Sequence, residues 1–187
     1  EGAKTALIAE IDAACPRDTI IASSTSALLM TPLQSKCRHP ERCVLAHPFN
    51  PPHLIPLVEL SGGQATDPEA LDWAHAFYEG IGRAPIRLNR EVFGHVANRL
   101  QYVVWNEAAR LVLDGVASVA DVERAMCDGP GLRWAFMGPF GTLNLAGGEG
   151  GLERTFEMFR DRDRGNTDRA ARRALTPEQE RVLIDGI

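Results

Sequence analysis

Short apolar runs alternate with helical patterns along the first half of the chain. Apolar runs bounded by turn residues predict buried strands at residues 19–23, 43–46, 57–60 and 84–88. Apolar side chains at three- and four-residue spacing, Leu7, Ile8 and Ile11 among them, predict an amphipathic helix over residues 3–14. Because helices and strands alternate, this half is expected to fold as α/β layers.

Capping signals predict two further helices between these strands. Thr31 is expected to cap a short helix that has Pro32 at its first position. Asp67 is expected to cap a longer helix over residues 67–80, with Pro68 at its first position.

The pattern from about residue 90 onward is helical throughout. Its longest stretch, residues 92–113, carries an apolar stripe wide enough for a core helix, and Gly115 follows its end. Later helical patterns, separated by glycine–proline breaks, cover residues 119–126, 152–160 and 177–184. The sequence therefore predicts an α/β domain over residues 1–89 and an all-helical domain over residues 90–187.

Polar side chains follow two of the predicted strands at their carboxyl ends. Ser24, Thr25 and Ser26 follow the first strand, and residues 47–50 follow the second. In open parallel α/β sheets, ligands bind beyond the carboxyl ends of the strands. Both segments are therefore expected to line one binding edge.

His47 and Glu59 are candidates for acid–base chemistry. A carboxylate among Ile55, Leu57, Val58 and Leu60 is costly to bury unless a partner compensates its charge. A buried acid that orients a histidine is a common arrangement for proton abstraction. Two structural alternatives stay open, since His47 could be a hydrogen-bonded core histidine and Glu59 could lie on the wet face of an edge strand.

Composition narrows the function classes. The net charge is −5 and basic residues are scattered, which argues against nucleic acid or an anionic membrane as partner. The arginine-rich segment over residues 160–173 alternates with aspartates, so a solvated face is expected there.

No apolar run reaches the ~20 residues of a membrane span. The four cysteines lack metal-site spacing and are expected to be free thiols in a reducing cytoplasm. No GxGxxG or GxxxxGK[ST] loop is present, and no serine sits in a GxSxG elbow.

Five segments together resemble the 3-hydroxyacyl-CoA dehydrogenase family, and more closely its branch that contains L-gulonate 3-dehydrogenase (lambda-crystallin) and carnitine dehydrogenase. These segments are residues 22–26, 47–52, 57–60, 98–102 and 138–140. The resemblance implies the second half of a Rossmann-type NAD-binding domain, followed by a helical C-terminal dehydrogenase domain. The chain opens with Glu1 directly before a helical pattern, so we expect a piece of a longer polypeptide that carries the rest of the nucleotide domain.

The resemblance also implies roles for individual residues. His47 matches the family's catalytic base and Glu59 the acid that orients it. Ser26 and Asn98 match hydrogen-bond donors to the reacting oxygen, although Asn98 could equally face solvent from its helix. Asn50 matches a further asparagine of the substrate site. Ser24, where the acyl-CoA branch has asparagine, matches a position near the nicotinamide.

Arg133 is a candidate ligand of a substrate carboxylate. It lies between two glycine breaks, either in a ligand-facing loop or simply packed, in a segment that resembles the free-acid branch. Guanidinium groups suit bidentate carboxylate recognition. The expected activity is NAD-dependent oxidation of a 3-hydroxy acid or 3-hydroxyacyl-CoA by a homodimer without metal. The alternative is a non-enzymatic role, crystallin-like or in dimerisation.

Overall fold

Four strands form one sheet in the computed structural model, which describes residues 1–163 and 176–185. Their bounds are β1 Ile21–Ser23, β2 Cys43–Pro48, β3 Leu57–Gly62 and β4 Ala84–Arg87. The spatial order is β1-β2-β3-β4. All four predicted strands are confirmed. The predicted solvated segment over residues 160–173 lies for the most part outside the described residues.

The sheet is mixed, not purely parallel. β1 pairs with β2 and β3 with β4 in parallel, whereas β2 and β3 run antiparallel. The connection over residues 49–56 is too short for the crossover that parallel neighbours need, so it can only return the chain in the opposite direction.

Nine described helices complete the chain. Their bounds are α1 Gly2–Ala14, α2 Met30–Gln34, α3 Pro68–Gly80, α4 Ala97–Leu113, α5 Val119–Cys127, α6 Pro130–Trp134, α7 Pro139–Ala146, α8 Gly151–Asp163 and α9 Pro177–Asp185. Short 3₁₀ turns precede β2 and α8. The chain divides into two compact units, residues 1–107 and 108–187. The predicted boundary near residue 89 stays a prediction.

Helices cover both faces of the sheet in the first unit. On one face, β2 and β3 side chains pack against α3, with Val44, Leu60 and Leu71 in that core. On the other face, Leu45 packs with Ile8 of α1 and Leu33 of α2. β2 is consequently buried on both sides, as expected for a strand between two helical layers.

The second unit is built around α7 and α8. Leu152 and Phe156 are buried there. The Thr155 hydroxyl donates to the Leu143 carbonyl at 2.7 Å, and the Leu152 N–H donates to the Asn144 side chain at 2.9 Å. Hydrogen bonds therefore join the two helices where α8 begins.

Two sequence predictions about the first two helices are wrong. Thr31 does not cap α2, because this helix already begins at Met30. The Thr31 N–H donates to the Glu91 side chain instead. The buried face of α1 is Thr5, Ile8 and Asp12, whereas Leu7 and Ile11 are exposed. The reason is that Asp12 is paired with Arg42 and so takes a buried position that hydrophobicity alone would not assign.

The long helix predicted over residues 92–113 begins only at Ala97. Gly94 and His95 have φ values of +76° and +51°, which no right-handed helix accommodates. The expected core role of this helix is also wrong, because α4 has no buried residue. By contrast, Asp67 accepts the Glu69 N–H at 3.0 Å and caps α3 as predicted.

Candidate active site

His47 and Glu59 face each other across β2 and β3. The antiparallel register pairs them directly, so both side chains lie on the same face of the sheet. Alternate residues Val58 and Leu60 point to the α3 core, which turns Glu59 to the opposite face. The distance from His47 Nδ1 to Glu59 Oε2 is 2.9 Å.

Glu59 has no exposed surface, and α4 compensates its charge. Oε1 accepts the N–H groups of Val96 and Ala97 at 2.8 and 2.9 Å. These N–H groups lie at the start of α4, where the first donors lack intrahelical partners and the helix dipole favours negative charge. Glu59 therefore does not lie on the wet face of an edge strand, whereas His47 is itself buried and hydrogen-bonded, so its catalytic role stays a prediction.

The hydrogen bonds at Glu59 assign the proton of the imidazole. Oε1 accepts the two N–H groups of Val96 and Ala97, and an ionised carboxylate can only accept hydrogen bonds, so with Glu59 ionised His47 donates from Nδ1 to Oε2. The neutral ring then carries its lone pair on Nε2. A histidine in this tautomer is suited to accept a proton from a substrate hydroxyl at Nε2.

Asn98 and Ser26 also come together. Asn98 lies in the first turn of α4, and its Nδ2 donates to the Ser26 carbonyl oxygen at 3.1 Å. The Ser26 side chain is exposed beyond the carboxyl end of β1. Their catalytic roles stay predictions, but the structure does bring both residues to one place.

His95 is a component that sequence reasoning missed. It is 1% exposed, and its ring centroid lies 5.0 Å from that of His47. Its Nε2 lies 3.1 Å from the Thr25 carbonyl oxygen. In the sequence, His39, His53, His75 and His95 are isolated from other polar motifs, and a surface or core role is expected for each. The position of His95 three residues before Asn98 was the available signal, but only the fold brings it to His47.

The three remaining candidates are exposed. Ser24 directly follows β1, and Asn50 follows β2 by two residues. Arg133 lies in the last turn of the short helix α6, so of the two alternatives, a ligand-facing loop or simple packing, the structure shows an exposed helical position. It belongs to the second unit, whereas the other candidates belong to the first.

A cavity of about 550 Å³ lies in the first unit beside the start of α4. His95, Phe93, Arg99 and Tyr102 contribute to its lining. That volume is within the range of small-molecule sites. Within the described ranges, no group of three or more His, Cys, Asp or Glu side chains is placed to hold a metal ion. None of the described helices combines the length and the hydrophobicity of a transmembrane span.

Two family models together match most of the chain. Residues 1–92 match the 3-hydroxyacyl-CoA dehydrogenase, NAD binding domain, and residues 94–181 match the 3-hydroxyacyl-CoA dehydrogenase, C-terminal domain. The chain belongs to the 3-hydroxyacyl-CoA dehydrogenase family. The predicted fold class, a Rossmann-type NAD-binding portion followed by a helical C-terminal domain, is confirmed.

Curated relatives of this family member include L-carnitine dehydrogenases. That of Streptomyces griseus is 47% identical over 98% of this chain and 54% of its own length. That of Bacillus cereus strain ZK / E33L is 50% identical over 85% of this chain and 49% of its own length. The chain thus spans about half the length of the curated relatives it matches. The predicted branch of the family is confirmed by these relatives.

Solved structures of two dehydrogenases have a similar fold. FHMPC 5-dehydrogenase, an NAD⁺-dependent dismutase, superposes with a TM-score of 0.77 at 29% identity, covering 99% of this chain and 65% of its own. 3-Hydroxybutyryl-CoA dehydrogenase from Escherichia coli K12 superposes with a TM-score of 0.66 at 28% identity, and the match covers 99% of this chain and 37% of the other.

NAD is the dinucleotide of this family's nucleotide domain. The residues present fit the nicotinamide end of that cofactor. The Ser24 hydroxyl is exposed at the carboxyl end of β1, and the neighbouring Ser23 Oγ is buried without a partner among the described residues. Hydroxyls both donate and accept hydrogen bonds, as a carboxamide partner requires.

Proposed function

We propose that the protein carrying this chain oxidises the 3-hydroxyl of a 3-hydroxy acid or 3-hydroxyacyl-CoA to the 3-oxo compound, with NAD as cofactor. The observation that carries the proposal is the buried His47–Glu59 pair, whose carboxylate is anchored on the start of α4. A buried, oriented imidazole with a lone pair on Nε2 is the group that alcohol oxidation needs.

His47 takes the hydroxyl proton at Nε2, and Glu59 stabilises the imidazolium that forms. NAD, when bound, supplies the acceptor for the hydride that leaves carbon 3. Ser26 Oγ and Asn98 donate hydrogen bonds to the reacting oxygen, where negative charge builds up. Asn98 has two amide hydrogens, so one can hold the Ser26 carbonyl while the other faces substrate.

The substrate we favour is a small 3-hydroxy acid with a free carboxylate, such as L-carnitine. Its support is the set of curated relatives named L-carnitine dehydrogenase at 47% and 50% identity. Arg133 would bind the substrate carboxylate, because its guanidinium is exposed and suits bidentate contact. Asn50 would complete the substrate site, and Ser24 would contact the nicotinamide.

We also propose a cytoplasmic homodimer. Large apolar side chains of the second unit are exposed, with Phe136 at 88% and Leu113 at 84%. A second copy of the chain would remove that surface from water. The free thiols of all four cysteines accord with a reducing compartment.

NADH formation by the full-length protein tests the proposed activity. We expect absorbance at the NADH band with L-carnitine, and we would compare L-gulonate and 3-hydroxybutyryl-CoA. His47→Gln should lower kcat by about a hundredfold or more, because the general base is lost. His53→Gln, a matched change at an exposed histidine, should leave kcat unchanged. If the folded protein forms no NADH with any of the three substrates, the result would instead favour the non-enzymatic role.

A further inference from the structure

Three parts of the candidate site converge on His95. Its Nε2–H donates to the Thr25 carbonyl at 3.1 Å, directly before Ser26. Its ring packs on His47, with centroids 5.0 Å apart and planes inclined by 46°. Its main chain leads straight into the Val96 and Ala97 N–H groups that hold Glu59.

We propose that His95 is a positioning residue that keeps the Ser26 segment, the His47 ring and the Glu59 carboxylate in one reactive arrangement. The inference rests on the proposed function. His95 itself touches none of the reacting atoms and acts through its three neighbours.

Packing alone does not account for a histidine at this position. The residue has a φ of +51°, a conformation that non-glycine residues rarely adopt. Because Nε2 donates to a carbonyl, the neutral ring carries a lone pair on Nδ1. This Nδ1 is buried without a hydrogen-bond partner among the described residues. An apolar ring would fill the same space without an unpaired buried nitrogen, so the bond to Thr25 is the feature that requires an imidazole.

The expected consequence of losing that bond is poorer alignment, not loss of substrate binding. Ser26 would drift relative to Nε2 of His47 once the preceding carbonyl is released. Misplacement of reacting groups by a fraction of an ångström to an ångström lowers the rate of the chemical step far more than ground-state affinity.

Two substitutions separate positioning from packing in the full-length protein. His95→Phe keeps a ring against His47 but removes the donor to Thr25. His95→Gln keeps a donor near the position of Nε2. We expect His95→Phe to lower kcat by roughly tenfold to a hundredfold with little change in KM, and His95→Gln to stay within about threefold of wild type. His75→Phe, at a helical position away from the site, is the control and should change neither constant.

A readout independent of turnover completes the test. The low-field proton resonance of His47 Nδ1–H, bonded to Glu59, should shift in His95→Phe and return in His95→Gln. The positioning role is overturned if folded His95→Phe keeps wild-type kcat and an unshifted resonance, with only a lower Tm. It is also overturned if both variants lose kcat equally. An inactive wild-type protein would refute the proposed function, while the His47 Nδ1–H resonance in the two variants would still test the positioning role.

Discussion

At the scale of single residues, the site depends on how one buried carboxylate is compensated. Glu59 is fully buried, and three donors meet it: one imidazole N–H and two main-chain N–H groups. Removing one of these donors would leave the buried charge uncompensated and would lower the free energy of unfolding by several kcal/mol. One of these bonds comes from His47 and, with Glu59 ionised, it places the imidazole proton on Nδ1, so stability and proton transfer depend on the same carboxylate.

Arg133 gives a prediction at this scale. Arg133→Ala should raise KM for a free hydroxy acid by about tenfold or more, since a charge-assisted hydrogen bond contributes roughly 1.5–3 kcal/mol. Arg133→Lys should recover only part of this, because an ammonium cannot make the bidentate contact. Steady-state kinetics of the full-length protein measure both. Arg124→Ala, at another exposed arginine of the second unit, is the control, and an unchanged KM in Arg133→Ala would count against the role.

At the scale of elements, a buried ion pair joins α1 to the turn before β2. Arg42 Nε and Nη2 donate to Asp12 Oδ1 at 3.0 and 2.8 Å, and both side chains are buried. The Arg38 and His39 N–H groups donate to Asp12 Oδ2. Burial by itself raises the pKa of Asp12, but the hydrogen bonds from Arg42 and from the two N–H groups outweigh it and hold that pKa below its usual range. The ionised carboxylate is therefore favoured in the folded chain.

Because this pKa is lowered by folding, the ion pair stabilises the chain above the unfolded aspartate pKa of about 3.9. That stability is lost as the pH falls through the lower pKa of the folded state. Arg42→Met should lower the free energy of unfolding by about 3 kcal/mol at neutral pH, because it leaves Asp12 buried and unpaired. The difference from wild type should shrink in acid, where Asp12 is protonated.

Urea titrations at several pH values measure this effect. Arg87→Met is the matched control, since Arg87 pairs with Asp72 at the surface. Exposed pairs contribute about 0–1 kcal/mol, so its effect should be small and depend little on pH. Equal destabilisation by the two variants would contradict the role given to the buried pair.

The start of α4 shows what periodicity leaves out. The apolar positions from Phe93 to Leu113 fit one helix, yet the helix begins at Ala97 because Gly94 and His95 have positive φ. This late start places the unpaired N–H groups of Val96 and Ala97 on Glu59. A helix that began at residue 92 would have bonded these groups internally.

At the scale of the whole molecule, exposed apolar surface in the second unit supports the proposed homodimer. Sedimentation equilibrium of the full-length protein should give twice the mass of one chain. Phe136→Asp should weaken self-association, because it places a charge in the apolar contact. Leu54→Asp, at an exposed apolar side chain of the first unit, should leave the mass unchanged. A wild-type protein that sediments as a monomer at micromolar concentration would refute the dimer.

The sequence by itself determined the elements and the family. Local composition, which acts within a few residues, determines the strands and caps such as Asp67. It also determines the segments around His47, Glu59 and Asn98 and their order along the chain. Only the tertiary structure decided what those segments do together. Contacts between distant parts of the chain set the antiparallel register of β2 and β3 and the Asp12–Arg42 pair between α1 and the turn before β2. They also set the late start of α4 and the place of His95 beside His47. Pairings over such separations are set by packing and by compensation of buried charge, and neither leaves a periodic signal in the sequence.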